Sequence, residues 1–146
     1  MNQTTMTSPD LLHILKTCRT IAVVGLSPKA HRDSYEVAEY MQSQGYRIIP
    51  INPVAAASGT PILGEKVYAT LLDAAKVEKI DLVDCFRNSA DIPPIATEAV
   101  HIKAHVLWMQ LGIDNEVAKA EAQAAGLAVV ENRCLLIEHK RAKHLL

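Results

Sequence analysis

Five short apolar runs alternate with segments of helical periodicity along this chain, and each run is followed by a small polar cluster. The runs occupy residues 21–25, 46–51, 80–85, 105–109 and 127–130. Between them, apolar residues recur every three or four positions, which is typical of amphipathic helices. Alternation of strand and helix predicts βαβ units with right-handed crossovers. We therefore expect an α/β fold: a doubly wound parallel sheet of five to six strands with helices on both faces.

The composition favours such a sheet and excludes several classes of protein. Hydrophobic residues make up 49% of the 146 residues but aromatic residues only 4%, the aliphatic character of strands buried on both faces. The formal net charge is −1 without a basic stripe, so we expect no nucleic-acid partner. No apolar stretch approaches the roughly 20 residues of a membrane span. We therefore expect no membrane contact. Three scattered cysteines without C-x-x-C are typical of a reducing compartment, so we expect a cytoplasmic protein.

Local signals predict where several helices begin. Ser, Pro and Asp at residues 8–10 have the order of an N-cap, a first helical residue and a first-turn acid. Asp33 and Glu36 have the spacing of a capping box, and Asp114 can cap a later helix. Residues 54–64 contain small residues, two glycines and a proline, and they predict an irregular segment.

The remaining organisation is that of one domain, residues 1–146, with a core over about 17–139. Residues 66–68 are a candidate short edge strand. Pro50 cannot donate to a sheet ladder, so we expect the end of the second strand to be irregular or partly unpaired. From Glu138 onward the sequence is polar, and we expect a polar C-terminal tail.

The first polar cluster has the position of a phosphate-binding turn. Gly25 ends the first run, and the following helix offers backbone N–H groups and a positive dipole end to an anion. The loop is not G-x-G-x-x-G, but it carries Lys29 and Arg32, whose charges could replace some close glycine contacts. The alternative is an exposed turn with ordinary surface charges. The position in the sequence favours phosphate.

The later clusters leave alternatives open. Asn52 ends the second run, where an NAD-binding fold usually has Asp or Glu. An uncharged Asn tolerates a phosphate on the ribose better than a carboxylate does. Equally, Asn before Pro53 is typical of a turn. Phe86 could pack on an adenine or a pantetheine arm, or cap the core. Gln110 and Gly112 offer an amide and a close approach, or simply a tight turn.

No sequence motif indicates a catalytic activity. No G-x-S-x-G elbow and no Walker motif occurs. His101 and His105 are four apart, but they flank a predicted helix end and strand start. We interpret all six histidines as structural or solvent-facing and assign no metal.

These segments together resemble the small bacterial and archaeal CoA-binding protein family and, more distantly, the CoA-binding domain of the succinyl-CoA synthetase α subunit. The resemblance spans about residues 17–139, and its most specific piece is the segment after the fourth run. The matching stretches are IAVVGLSP (21–28), RDSY (32–35), GYRIIPINP (45–53), ILGEKVY (62–68), DLVDCFR (81–87), LWMQLG (107–112) and NRC (132–134).

The resemblance implies a Rossmann-like domain that binds coenzyme A or acyl-CoA at the carboxyl ends of its strands. We expect binding without the synthetase's ligase chemistry, because 146 residues leave no room for its phosphohistidine domain. Lys29 joins the candidate set because of its charge in the first loop. The positions that match the family pattern are Gly25, Ser27, Arg32, Ser34, Asn52, Pro53, Phe86, Arg87, Gln110 and Gly112.

The favoured hypothesis is a non-catalytic CoA carrier, sensor or regulatory protein, with a protein partner left open. Two alternatives are an NADP- or CoA-dependent enzyme and an interaction module that kept the fold without the ligand. Cys134 follows the last run. It is either a small buried residue or a thiol within reach of the thiol of CoA.

Overall fold

The computed structural model describes residues 10–146, which surround a five-stranded sheet. All strands are parallel, in the order β2-β1-β3-β4-β5. The strands are β1 (Thr20–Val24), β2 (Arg47–Ile51), β3 (Leu82–Cys85), β4 (Val106–Met109) and β5 (Ala128–Val130). The helices are α1 (Leu11–Thr17), α2 (Asp33–Ser43), α3 (Pro53–Ser58), α4 (Leu71–Ala75), α5 (Ile92–His101), α6 (Glu116–Ala124) and α7 (Leu135–Ala142). This architecture confirms the predicted doubly wound α/β fold.

The sheet divides the core into two layers because successive strand side chains point to opposite faces. Ile21 and Val23 of β1 pack on the face that α1, α2 and α7 cover. Ala22 and Val24 pack on the opposite face, under α4, α5 and α6. Both layers exclude water from the strands, which explains why the runs are apolar throughout and do not alternate.

The strand order places a topological switch point between β1 and β3. The chain moves outward from β1 to β2 at one side and from β3 to β4 and β5 at the other. In open α/β sheets the ligand crevice opens at this point, outside the carboxyl ends of the strands. The loops that begin at Gly25 and Phe86 therefore leave the sheet from adjacent positions and diverge.

Three helix starts differ from the sequence prediction. Asp10, predicted as a first-turn acid, is the N-cap of α1, where its side chain accepts a hydrogen bond from the His13 N–H at 3.1 Å. The predicted N-cap Ser8 and the predicted first helical residue Pro9 lie outside the described residues. Arg32 is the N-cap of α2, so the predicted cap Asp33 is the first helical residue. In α6 the cap is Asn115 and not Asp114, because the Asn115 side chain accepts from the Ala118 N–H.

Residues 54–64 are more regular than predicted, since most of α3 lies there. Residues 66–68 do not form a strand: only Tyr68 joins the sheet, through an isolated parallel bridge to Ile51. Pro50 keeps regular register with Val23, contrary to expectation. It is tolerated because β2 is bordered only by this bridge, and the Pro50 carbonyl there accepts from the Tyr68 N–H at 3.0 Å.

The polar C-terminal segment is a packed helix, not a tail. Glu138 and His139 are buried in α7. The Tyr40 hydroxyl lies 2.7 Å from His139 Nδ1, and Arg141 Nη1 lies 3.2 Å from Glu138 Oε2. Desolvation, with Lys143 and Arg19 nearby, lowers the pKa of His139. Hydrogen bonds therefore let α7 bury polar residues that a pattern of hydrophobicity assigns to solvent.

Gly25 is required where the β1 and β3 loops diverge. Its φ is +89°, and an added Cβ would collide with the Phe86 carbonyl oxygen. We expect Gly25→Ala to lower the free energy of unfolding by more than about 3 kcal/mol, measured by urea denaturation, because backbone strain and a backbone clash combine. Gly59→Ala is the matched control: its φ is +71° but its Cβ would meet nothing within 4 Å, so it should lose only about 1–2 kcal/mol. Equal losses in the two variants would contradict this role of Gly25.

Candidate functional site

A large cleft of about 850 Å³ opens at the carboxyl ends of β3 and β4, on the face covered by α2 and α7. Its volume is in the usual range for small-molecule sites. Both apolar and polar side chains line the cleft, and the carboxylates of α2 are among them. The wall consists of Asp33, Glu36, Val37, Phe86, Arg87, Asn88, Ser89, Gln110, Leu111, Gly112, Ile113, Cys134, Leu136 and Ile137.

A small cleft of about 330 Å³ lies on the opposite face of the sheet, under the ends of β1 and β2. Its wall includes Gly25, Pro53, Thr70 and Ile95. Arg87 lines both clefts, so the two meet at the β1/β3 switch point. Arg87 Nη2 stands 3.6 Å from Asp91 Oδ2, an exposed pair that leaves the guanidinium accessible. An elongated ligand could therefore cross from one face to the other beside Gly25 and Arg87.

The first loop is held in shape by its two serines. The Ser27 N–H donates to Ser34 Oγ at 3.0 Å, and Ser27 Oγ accepts from the Lys29 N–H at 3.1 Å. The Arg32 N–H closes the loop by donating to the Lys29 carbonyl at 3.1 Å. These bonds fix the backbone between Gly25 and α2, so the cationic side chains extend from a preorganised turn.

The N-terminus of α2 is open to an anion. Arg32 provides no side-chain cap, and the first helical hydrogen bond runs from the Glu36 N–H to the Arg32 carbonyl. The earlier N–H groups of the first turn are left without helical partners. Lys29 and Arg32 are exposed and form no ion pair within residues 10–146. Asp33 and Glu36 belong to the same first turn, and both line the large cleft together with Arg87.

Asn52 is engaged by the protein's own backbone. Its Oδ1 accepts from the Val54 and Ala55 N–H groups at 3.0 and 3.1 Å, which caps α3. Its Nδ2 donates to the Leu26 carbonyl at 2.9 Å and ties the end of β2 to the first loop. The turn-forming alternative for Asn52 and Pro53 accounts for these contacts without a ligand.

A buried carboxylate that was not among the predicted site residues contacts the wall of the large cleft. Asp84 of β3 is 1% exposed, and its Oδ1 accepts from Gln110 Nε2 at 2.7 Å. Burial raises the pKa of Asp84 to about 7, although the bond from Gln110 acts in the opposite direction. The available signal was an acidic residue within an apolar strand, because such residues are almost never buried without a partner.

Two further loops complete the carboxyl-end rim. The Gly112 N–H donates to Asn132 Oδ1 at 2.7 Å, which joins the loop after β4 to the loop after β5. Trp108 Nε1 donates to the Arg133 carbonyl at 2.8 Å and holds the chain just before Cys134. Cys134 is half-buried and lines the large cleft, whereas Cys18 and Cys85 are buried. Asn132, which was not among the predicted site residues, thus holds the Gly112 loop beside the large cleft.

The structure brings only part of the predicted set to the cleft walls. Phe86, Arg87, Gln110 and Gly112 line the large cleft, while Gly25, Pro53 and again Arg87 line the small one. The others lie in the first loop or at the end of β2, and their roles in binding stay predictions: Ser27, Lys29, Arg32, Ser34 and Asn52. Within the described residues there is no cluster of three potential metal ligands, and no helix long and apolar enough to cross a membrane.

A protein-family model described as a CoA-binding domain matches residues 19–140. The chain belongs to this CoA-binding family. The match confirms the resemblance drawn from the sequence motifs, and it covers every strand of the sheet.

Similar proteins align with this chain over nearly the whole length of both. YneT of Bacillus subtilis (strain 168), an uncharacterized protein, is 35% identical over 134 residues, which are 92% of this CoA-binding-family chain and 95% of that protein. A hypothetical protein from Pyrococcus horikoshii OT3 superimposes with a TM-score of 0.85 at 35% identity, over 97% of this chain and 98% of that one. A Thermus thermophilus structure, cell-free ID.343, gives a TM-score of 0.84 at 34% identity, over 90% and 95%.

Proposed function

We propose that this protein binds coenzyme A across the β1/β3 switch point, with the pyrophosphate between Gly25, Arg87 and the N-terminal turn of α2. The observation that carries the proposal is the pair of clefts on opposite faces of the sheet that share Arg87. CoA has the matching form: an adenosine end, a charged centre and a long uncharged arm. Membership of the CoA-binding family supports this choice of ligand.

Cleft size and charge together suggest how the ligand lies. The large cleft carries Asp33 and Glu36 and the small cleft carries Asp91 and Glu98, so phosphate is disfavoured inside either cleft and favoured at their junction beside Arg87. The pyrophosphate is favoured at the uncapped N-terminus of α2, where Arg32 can add charge-assisted hydrogen bonds. The small cleft offers the apolar side chains of Ile51 and Ile95 to the adenine ring. The proposal therefore assigns the long pantetheine arm to the cleft of about 850 Å³ and the adenine ring to the one of about 330 Å³.

The proposed role is that of a carrier, sensor or regulatory protein. Cys134 is the thiol on the wall of the large cleft, and no His or carboxylate among the described residues forms a hydrogen bond with it. The usual signature of an activated nucleophile is such a base within hydrogen-bond reach. Binding and release of CoA then suffice as the biochemical activity of the fold.

Calorimetric titration with CoA, acetyl-CoA, NAD and NADP in one buffer tests the ligand. We expect CoA to bind more tightly than NAD, because Asn52 supplies no carboxylate for the ribose hydroxyls, and we expect its affinity to fall as salt rises. Tighter binding of NAD would favour a dinucleotide-dependent enzyme. Absence of binding to all four would favour an interaction module without the ligand.

Arg32 is expected to contribute more to CoA affinity than any other single side chain. Arg32→Ala should weaken binding about tenfold or more, because charge-assisted hydrogen bonds contribute roughly 1.5–3 kcal/mol and exposure reduces that figure. The melting temperature of the free protein should stay nearly constant, since Arg32 caps nothing with its side chain. Titration calorimetry and thermal melts measure both quantities.

Two controls frame the Arg32 experiment. Lys29→Ala should weaken binding less, because an ammonium lacks the planar fork of a guanidinium. Lys79→Ala, an exposed residue that precedes β3, removes the same charge at the opposite edge of the sheet and should leave affinity unchanged. Parent-like binding by Arg32→Ala would show that the phosphates lie elsewhere.

Cys134 reports on where the thiol end of CoA lies. With CoA disulfide as the oxidant, the Cys134 thiolate would attack one sulfur, form a protein–CoA disulfide and release one CoA thiolate. Intact-mass analysis should show one adduct on the parent, mapped to Cys134, and none on Cys134→Ser, because Cys18 and Cys85 are buried. An adduct on Cys18 or Cys85, or none at all, would reject this direction for the pantetheine arm.

A further inference from the structure

Asp84 places a carboxylate inside the sheet, where the neighbouring positions are apolar. Its partners in register are Val23 of β1 and Trp108 of β4. Oδ1 accepts one hydrogen bond from Gln110, whereas Oδ2 is buried without a partner in the described chain. An unpartnered buried carboxylate oxygen is destabilising, so this arrangement calls for a functional explanation.

Gln110 links this carboxylate to the large cleft. The residue is 3% exposed, yet it lines the cleft wall. Its Nε2 is directed at Asp84, and no hydrogen bond of the described residues uses its Oε1. That oxygen is also not among the fully buried unpaired atoms, so it keeps access to the cleft.

We propose that Asp84 is a positioning residue: it sets which end of the Gln110 amide faces the large cleft and thereby which hydrogen-bonding group of the pantetheine arm is recognised there. An ionised carboxylate only accepts hydrogen bonds, so Gln110 turns its NH₂ toward Asp84 and its Oε1 toward the ligand. The cleft then accepts an amide N–H of pantetheine. A protonated Asp84 can instead donate to Oε1, and the amide turns its NH₂ outward.

The surroundings of Asp84 make both states accessible near neutral pH. Burial is the main cause of its raised pKa, about 7, and the hydrogen bond from Gln110 is the opposing one. The adjacent strands β1 and β4 contain no ionisable residue. Cys85 belongs to the opposite layer, and its thiol pKa is raised by burial and by Asp84.

The helices on this face supply no direct partner for the Asp84 carboxylate. In α2, Asp33 and Glu36 are exposed at the cleft. The other ionisable groups on this face are engaged elsewhere, lie at the surface or are buried away from Asp84. Glu138 pairs with Arg133 and Arg141, His139 lies against Tyr40, and the Tyr46 hydroxyl donates to the Leu15 carbonyl. Cys18 is buried next to the start of β1, and burial raises the pKa of its thiol. The rest are exposed, half-buried or on the cleft wall: His13, Lys16, Tyr35, Glu39, Cys134 and Lys140.

The inference rests on the proposed CoA site, but its first test needs no ligand. In the apo protein, the side-chain ¹⁵N–¹H signals of Gln110 should shift between pH 6 and 8 with the same midpoint as the carboxyl ¹³C signal of Asp84. Asp84→Asn should remove the Gln110 shift, because no proton is then exchanged. A Gln110 signal that stays constant across this range in the parent protein overturns the proposal even if Asp84→Asn does not fold.

The second test measures recognition. Dephospho-CoA is the ligand, because it lacks the 3′-phosphate, whose own ionisation near pH 6 would imitate the effect. Its affinity for the parent should rise roughly fivefold from pH 6 to 8, which corresponds to about one hydrogen bond. Asp84→Asn and Gln110→Ala should each lose this dependence, whereas His31→Gln, which replaces the histidine of the first loop, should keep it.

The outcomes separate the two proposals. If dephospho-CoA and CoA fail to bind at every pH while the apo Gln110 signal follows Asp84, the ligand assignment is wrong and the Asp84–Gln110 relation stands. If CoA binds but its pH dependence persists in Asp84→Asn, the positioning role is wrong. An affinity for dephospho-CoA that falls as the pH rises would also overturn it, because the cleft would then present a donor to the arm.

Discussion

The close backbone approach of Gly25 to Phe86 is the constraint on which the rest of the site depends. β1 and β3 are neighbours, so the loops that leave them start side by side. Gly25 lets them separate at once, because it has no Cβ to meet the Phe86 carbonyl. From there the two chains run to opposite faces, and one cleft opens on each. A bulkier residue would push the loops apart and disturb both clefts together.

The two layers of the core differ in the side chains that they pack beneath the two clefts. Under α5 and α6, alanines such as Ala96 and Ala118 allow close packing and leave only a shallow hollow beyond the strands. Under α2 and α7 the residues are larger, Trp108 among them, and a polar pair is buried with them. The larger cleft lies on that face, between residues of α2, α7 and the loops after β3 and β4. The sheet thus separates two clefts that differ in volume, and the two core layers differ in the size and polarity of their side chains.

The sequence predicts the strands well because burial on both faces leaves an unmistakable apolar run. It predicts helix starts poorly where two polar residues adjoin, as Asp114 and Asn115 do, since either can cap and tertiary contacts decide. It also misplaces α7, because the burial of His139 depends on Tyr40, which is distant in the sequence. Asp84 was not predicted as a site residue for a related reason. Its partner Gln110 belongs to the loop after the next strand, and local periodicity does not show which strands are neighbours.

Asp84 also shows how a binding cleft can act against stability. Its pKa of about 7 in the folded protein lies above the ordinary value near 4, so the folded state binds more protons than the unfolded state between these values. The contribution of Asp84 to stability is therefore complete below pH 4 and is lost as the pH rises toward 7, a change of roughly 4 kcal/mol. A Leu or Val at this position would avoid that loss. The same carboxylate gives the Gln110 amide a defined orientation at the cleft wall, which an apolar residue cannot do. The loss of folding stability is therefore the direct consequence of keeping this amide oriented toward the ligand.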